Sequence, residues 1–408
     1  MAAEKDILPS HHSDKSLGLT PQDAKAADKS PRKLSPLRLL CYVLAALFLL
    51  GALHKPATHC YRRVSDHVCG KTLTVEQRAR RILAHNPLID GHVDLPIALR
   101  ALYHNRINNR EWAESLMDAY PRDFAPRVNS HCARGAFRSG RFISPLGVEG
   151  LHQIGNSAAN LRRFHELGVR YATLTHNCHN KFADAAVLEH PLRKAEPRWG
   201  GVSPLGRKLV HEMNRIGMIV DLAHVSQDTM FDVLGGRADW AGSKAPVIFS
   251  HSSAYSICPH PRNVKDEILK LVKKRNSIVM VNINPGFISC VDTGNKNGLP
   301  EDDAANATLD RIVEHILHIG NLIGFDHVGI GTDFDGIGTV PKGFEDVSKY
   351  PELIAALLRS GVSDRDAAKI AGHNLLRVWH QVDAVSARMK AENAPIMEDD
   401  VDLLTVGP

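Results

Sequence analysis

Pro87-Leu-Ile-Asp-Gly-His-Val-Asp-Leu-Pro96 is the stretch on which the reading of this chain turns. Leu88 and Ile89 begin a short apolar run that ends in polar residues, the pattern of a buried strand reaching the rim of a sheet. His92 and Asp94 are two apart, so an extended backbone points both side chains to the same side. An imidazole and a carboxylate side by side at a strand end make half of a metal site. One such pair is an ordinary occurrence in any sequence, so the weight lies on repetition elsewhere.

The repetition is there. Helical spacing over 74–84 leads into that first strand, and an apolar run over 142–148 closes on Glu149. An amphipathic helix over 157–167 precedes a strand over 169–174 that ends in Thr175 and His176. A helix over 204–216 precedes a strand over 218–222 that leads to His224. Strands over 246–249 and 277–283 follow, the first ending in Ser250 and His251, and one over 328–330 leads to Asp333 and Asp335. Strand and helix in alternation predict a parallel sheet. In each unit the His or carboxylate follows the apolar run, so it sits at the strand's C-terminal end. The expected fold is therefore α/β, a TIM-like (β/α)8 barrel, whose C-terminal rim would gather His92, Asp94, Glu149, His176, His224, His251 and Asp333. An open doubly wound sheet also places sites at strand ends, but no nucleotide-binding fingerprint accompanies it.

Histidines and carboxylates without a thiolate cluster suit zinc, either one ion or two sharing a carboxylate. Two such ions would hold a bridging hydroxide and polarise a carbonyl. Asp333 is the candidate to take the water's proton and hand it to a leaving amine. Any one of these histidines alone is an unremarkable polar side chain; their shared topological position is what argues for a site.

Composition sets the frame. The 408 residues are 43% hydrophobic and 23% charged, enough for one barrel-sized domain and an appendage. The net charge of +5 is modest and much of the excess lies near the N-terminus, so no nucleic-acid partner is expected. Residues 1–36 are polar and read as a disordered tail. Residues 39–53 carry no charge, and 37–56 is expected to be one N-terminal transmembrane signal anchor, with a signal-peptide core or a buried helix as its rivals. Basic residues precede it, which places the catalytic domain in the lumen or outside the cell, as a single-pass membrane protein. A stem over 57–72, the barrel over 73–385 and a C-terminal tail over 386–408 complete the expected organisation. Of seven cysteines, Cys60 could pair with Cys69, and Cys258 with Cys290 near two strand ends. Asn306-Ala-Thr308 is a glycosylation sequon.

Taken as an ordered set, several segments carry a resemblance. They are Ile89-Asp-Gly-His-Val-Asp-Leu-Pro96, Gly147-Val-Glu-Gly150, Tyr171-Ala-Thr-Leu-Thr-His-Asn-Cys178, Asp221-Leu-Ala-His-Val-Ser226, Ser250-His-Ser-Ser-Ala-Tyr255, Arg262-Asn-Val264 and Gly331-Thr-Asp-Phe-Asp-Gly336. Together they resemble the membrane (renal-type) dipeptidases, zinc metallopeptidases on an amidohydrolase-like barrel. The likeness runs from about Leu73 to Val382. It implies two zinc ions per chain, with His92 and Asp94 on one, His224 and His251 on the other and Glu149 bridging them. It further implies that His176 contacts the reacting centre, that Arg262 holds the substrate's carboxylate and that Asp333 assists proton transfer. The implied substrates are dipeptides with broad side-chain tolerance, Cys-Gly-type conjugates among them, and a homodimer is left open.

Two departures stand out. The chain is short by roughly one strand–helix unit after Asn109, where the family has its second barrel strand, which leaves Cys178 without its family partner and Cys132 a poor substitute. Asn284 stands where the family has an aromatic residue. A barrel lacking a strand must rearrange or leave edges unpaired. The expected function is zinc-dependent dipeptide hydrolysis by a metal-bridging hydroxide. Its rivals are a membrane-tethered remnant with impaired catalysis and a related amidohydrolase acting on a cyclic amide.

Overall fold

The protein is described by a computed structural model over residues 73–104 and 129–399. The first helix, α1 (Val75–His85), starts at a capping box in which Thr74 and Gln77 each hold the other's backbone N–H. After it the chain runs through residues 90–93 to α2 (Leu95–Tyr103). Following α3 (Ser130–Arg138), strand and helix alternate: β1 (Leu146–Glu149), α4 (Ala158–Glu166), β2 (Val169–Thr173), then a hairpin of β3 (Val187–Glu189) and β4 (Leu192–Lys194). The alternation resumes with α5 (Pro204–Ile216), β5 (Ile219–Asp221), α6 (Gln227–Val233), β6 (Ile248–Phe249), α7 (Asp266–Lys274) and β7 (Ile278–Val281). A short helix α8 (Pro285–Ile288), the ribbon β8 (Cys290–Val291) and β9 (Glu301–Asp302), then α9 (Leu309–Ile323) and β10 (Val328–Ile330) follow. The chain closes with α10 (Tyr350–Arg359), α11 (Asp364–Ala368), a π-helical turn over Lys369–His373, and α12 (Asn374–Ala391).

Six strands form one parallel sheet in the order β1-β2-β5-β6-β7-β10. The strands β5 and β7 are buried at every position, as the mostly apolar sequence of a central parallel strand allows. Parallel bridges from Asp90 to Ile330 and from Val93 to Phe334 lay residues 90–93 along the outer side of β10. Where a first strand was expected, the chain makes two isolated bridges at the sheet edge opposite β1. Side-chain hydroxyls start the crossover helices: Ser157, Ser203, Ser226 and Thr308 each accept a backbone N–H from the first turn of α4, α5, α6 and α9.

The α/β class and the parallel sheet agree with the expectation; the closed eight-stranded barrel does not follow. Among the described residues no strand pairs with the outer edge of β1. The segment after Asn109, where a unit was expected to be missing, lies outside the described residues, as do the expected tail at 1–36, the anchor at 37–56, the stem at 57–72 and the Cys60–Cys69 pair. At the other end the chain stays folded beyond the expected boundary at 385. Val385, Ser386 and Met389 of α12 are buried, and the Asp399 carboxylate accepts from the Ser157 hydroxyl and from Ala158 and Ala159 N–H at the start of α4.

The expected single-pass membrane localisation is corrected. Among the described residues no helix is long and apolar enough to cross a membrane. The longest, α12, has 18 residues and carries Arg377, Asp383, Arg388 and Lys390, charges that hydrocarbon disfavours.

Candidate metal centre

Four segments at the strand ends deliver a side chain to one point. His92 comes from the segment beside β10, Glu149 ends β1, His224 follows β5 and His251 follows β6. The Glu149 Oε1 atom lies 2.9 Å from His224 Nε2, 3.3 Å from His251 Nε2 and 3.4 Å from His92 Nε2. His92 Nε2 is also 3.4 Å from Asp94 Oδ2 and 4.0 Å from Asp333 Oδ1. His176 Nε2 stands 3.9 Å from the other Glu149 oxygen, and its ring packs on that of His224. Three overlapping groups could each hold a cation: His92, Glu149 and His251; Glu149, His176 and His224; and His92, Asp94 and Asp333. Glu149 belongs to the first two groups, and nitrogen and oxygen donors of this kind suit a divalent ion.

The donor set fits a metal on two further observations. His92 Nε2 is buried and has no hydrogen-bond partner among the described residues, and His224 and His251 turn their Nε2 atoms to within 3.0 Å of each other. Buried polar atoms facing one another without a donor arrangement that satisfies them all are costly unless a further group completes them. The ring nitrogens on the far side are all engaged. His92 Nδ1 meets the Tyr171 hydroxyl at 2.8 Å, His224 Nδ1 meets Asn177 Oδ1 at 3.0 Å and His251 Nδ1 meets Ser250 Oγ at 2.8 Å. Such partners orient an imidazole and leave Nε2 for a cation.

Charge follows geometry. Burial pushes the Glu149 carboxyl up, and proton-bearing imidazoles of His224 and His251 would hold it below the usual range. Burial, helped by Arg262, holds His224 well below its ordinary value, which leaves it neutral and ligand-competent. His92 goes the other way: burial opposes protonation, but Asp94, Glu149 and Asp333 lift it to about 9. His176, half-buried, is lowered chiefly by burial.

Two more groups face the centre. Asp333 is buried with Oδ2 accepting from Asn282 Nδ2 at 3.1 Å. Arg262 is buried on the loop after β6, over the Phe287 ring, and its Nε and Nη2 have no hydrogen-bond partner among the described residues. Burial lowers it to about 10 against the pull of Asp333, Glu149 and Asp221, so it remains a cation at neutral pH. Cys258 and Cys290 form a disulfide that ties this loop to the one carrying Phe287. Cys132 and Cys178 are free. Asn284 is spent locally, its Oδ1 accepting the Gly286 N–H at the start of α8. Asn306 is exposed, its amide donating to Asp303.

All seven rim residues of the reading thus gather, and Arg262 joins them. The reading had no role for the shell behind them. Asp90 accepts from the Thr332 N–H and hydroxyl, the Tyr350 hydroxyl and His92 N–H, which ties the His92 and Asp333 loops together. Asp221 does the same for β2, β5 and β6. An acid inside an apolar strand, as in Ile219–Asp221, is the signal that could have marked such residues, because a buried carboxylate must find donors.

Comparison with known proteins agrees with this geometry. The sequence model of the membrane dipeptidase family, peptidase family M19, matches residues 106–393. Dipeptidase aclJ of Aspergillus oryzae is 50% identical over 262 residues, 64% of this chain and 56% of that protein. An uncharacterized dipeptidase of Schizosaccharomyces pombe is 41% identical over 364 residues, 75% of this chain and 83% of the relative. The chain thus spans little more than half of the Aspergillus protein but most of the Schizosaccharomyces one. Among solved structures, a metallopeptidase from Rhodobacter sphaeroides, liganded with a phosphinate mimic of the dipeptide L-Ala-D-Ala, superposes with a TM-score of 0.55. It is 26% identical, covering 72% of this chain and 77% of its own. An amidohydrolase from Pseudomonas aeruginosa, 24% identical with a TM-score of 0.58 over 76% of this chain and 99% of its own, shares the fold.

Proposed function

The chain belongs to the membrane dipeptidase family, peptidase family M19, and from that premise we propose that it is a metal-dependent dipeptidase. The observation that carries the proposal is the convergence of His92, His224 and His251 on one oxygen of Glu149, beside a buried Arg262 whose Nε and Nη2 are unpaired among the described residues. In this reading His92, Asp94, Glu149, His224 and His251 would hold the divalent metal, with Glu149 shared between the His92 and His224 sides, and nitrogen and oxygen donors favour zinc. Bound there, the metals supply Lewis-acid polarisation of the scissile carbonyl and an acidified water.

The remaining work falls to side chains. Arg262 offers planar paired N–H donors, the form that recognises a carboxylate, so it would fix the free C-terminus of a dipeptide. His176 is neutral and partly open to the mouth, placed to donate to the carbonyl oxygen as charge develops there. The Asp333 carboxylate takes a proton from the attacking water and returns it to the amine nitrogen as the C–N bond breaks. The phosphinate dipeptide mimic held by the Rhodobacter relative supports a dipeptide as the ligand class.

The test is a substrate panel on the full chain: free dipeptides including Cys-Gly, the same dipeptides as C-terminal amides, tripeptides and a cyclic amide. Free dipeptides should turn over and the phosphinate mimic should inhibit. Amides should lose about tenfold or more, the worth of a charge-assisted pair, and Arg262→Lys should erase that preference. Equal turnover of dipeptide and amide would remove Arg262 from recognition, and turnover of the cyclic amide alone would move the enzyme to that rival class.

A further inference from the structure

Asp221 is fully buried at the end of β5, and its four hydrogen bonds are all accepted. Its Oδ1 takes the backbone N–H of Ser250 at 2.8 Å and of Ala223 at 3.1 Å. Its Oδ2 takes the Thr173 and Ser250 hydroxyls, both at 2.6 Å. An ionised carboxylate has no hydrogen to give, and these four donors fill it. Ser250 has a single hydroxyl hydrogen, and it goes to Asp221. At 2.8 Å from His251 Nδ1 the same Ser250 oxygen can then only accept. The imidazole hydrogen is therefore on Nδ1, and Nε2, which faces Glu149 and His224, presents a lone pair.

Ser250 has little freedom to move away from this arrangement. Its carbonyl oxygen lies where a Cβ on Gly331 would sit, 1.8 Å away, so the backbones of the two strand ends are packed together.

We propose that Asp221 is a positioning residue which, acting through the Ser250 hydroxyl, fixes His251 in the tautomer whose Nε2 is open to a metal. It touches neither metal nor substrate. The proposal rests on the metal-centre reading above. The substitution Asp221→Asn has a defined consequence. Its NH2 cannot face the two backbone N–H groups, which do not rotate, so it must face the two hydroxyls. Ser250 then turns its hydrogen toward His251 Nδ1, and the ring carries its own hydrogen on Nε2.

The experiment measures Zn2+ affinity of the full chain by chelator competition, with the Co2+ absorption spectrum as a second readout and the melting temperature of the metal-free protein as the fold control. Asp221→Asn and Ser250→Ala should each weaken Zn2+ by about 10–100-fold, the usual cost of losing such a partner. The double variant should be no weaker than Ser250→Ala alone, because both changes cut one chain of contacts. Should Asp221→Asn not fold, Ser250→Ala and Ser250→Thr decide instead: loss in the first and recovery in the second support the proposal. Unchanged Zn2+ affinity in the folded variants, or losses that add in the double variant, overturn it. A wild-type chain that binds neither Zn2+ nor Co2+ overturns the metal-centre reading, and this inference with it.

Discussion

His224 and Asp333 both adopt left-handed backbone angles, φ 65° and 66°, which residues with a side chain enter at a cost of about 1–3 kcal/mol. The two lie just past strands β5 and β10, where the chain must turn sharply to bring a side chain back over the strand end. For Asp333 the result is a carboxylate held by Asn282 at one oxygen and set beside His92 at the other. Replacing it with Asn keeps the shape and the Asn282 contact but removes the proton acceptor. Asp333→Asn should lower kcat by roughly 10^2- to 10^4-fold while bound metal and KM stay near wild type, as measured by steady-state kinetics and metal analysis. Loss of metal along with activity would instead make Asp333 a ligand. At this scale the chain's own letters were informative, because the His or acid at each strand end repeats. What they concealed was the second layer, Asp90, Tyr171, Asn177, Asp221 and Ser250, whose partners come from strands distant in sequence.

Helix α9 shows how an element outside the site is held by a titratable group. His315 is buried, with Nδ1 accepting the Ala254 N–H at 3.0 Å and Nε2 donating to the Ile288 carbonyl at 2.9 Å. Only the neutral ring can make both bonds, and burial accordingly lowers His315 to about 4. The unfolded chain takes up this proton near pH 6.5 and the folded one does not until about pH 4, so stability is whole above pH 6.5 and falls as pH drops through that window. Between pH 7 and pH 5 this one residue should contribute a loss of about 2 kcal/mol, read from urea unfolding. The variant His315→Gln should show a shallower decline over the same range; an identical decline would exonerate His315. The helices over 74–84, 157–167 and 204–216 were legible from apolar spacing, whereas α9 was not singled out. Strand limits were less so: the run expected over 142–148 begins with an exposed Phe142, and the strand itself is Leu146–Glu149.

At the scale of the molecule, no described strand pairs with the outer side of β1, yet the two edges of the described sheet meet at the candidate metal centre, where His92 from one edge approaches Glu149 from the other. Strand pairing among the described residues does not join those edges; the ligands do. The closed barrel was the natural expectation from strand–helix alternation, which fixes the parallel order but cannot say how many strands complete the circle. The membrane localisation was likewise drawn from one apolar run, and among the described residues no helix supports it. If the centre joins the two edges, metal and stability are coupled: at about 100 times its Kd a bound ion should add about 2.7 kcal/mol. The measurement that tests this account most directly is the metal content of the folded full chain, taken with dipeptide hydrolysis and melting temperature before and after chelation. About two divalent ions per chain are expected. Chelation should abolish turnover and lower the melting temperature by several degrees, and zinc should restore both. A folded chain that carries no divalent metal, or that hydrolyses dipeptides undiminished after chelation, would contradict it.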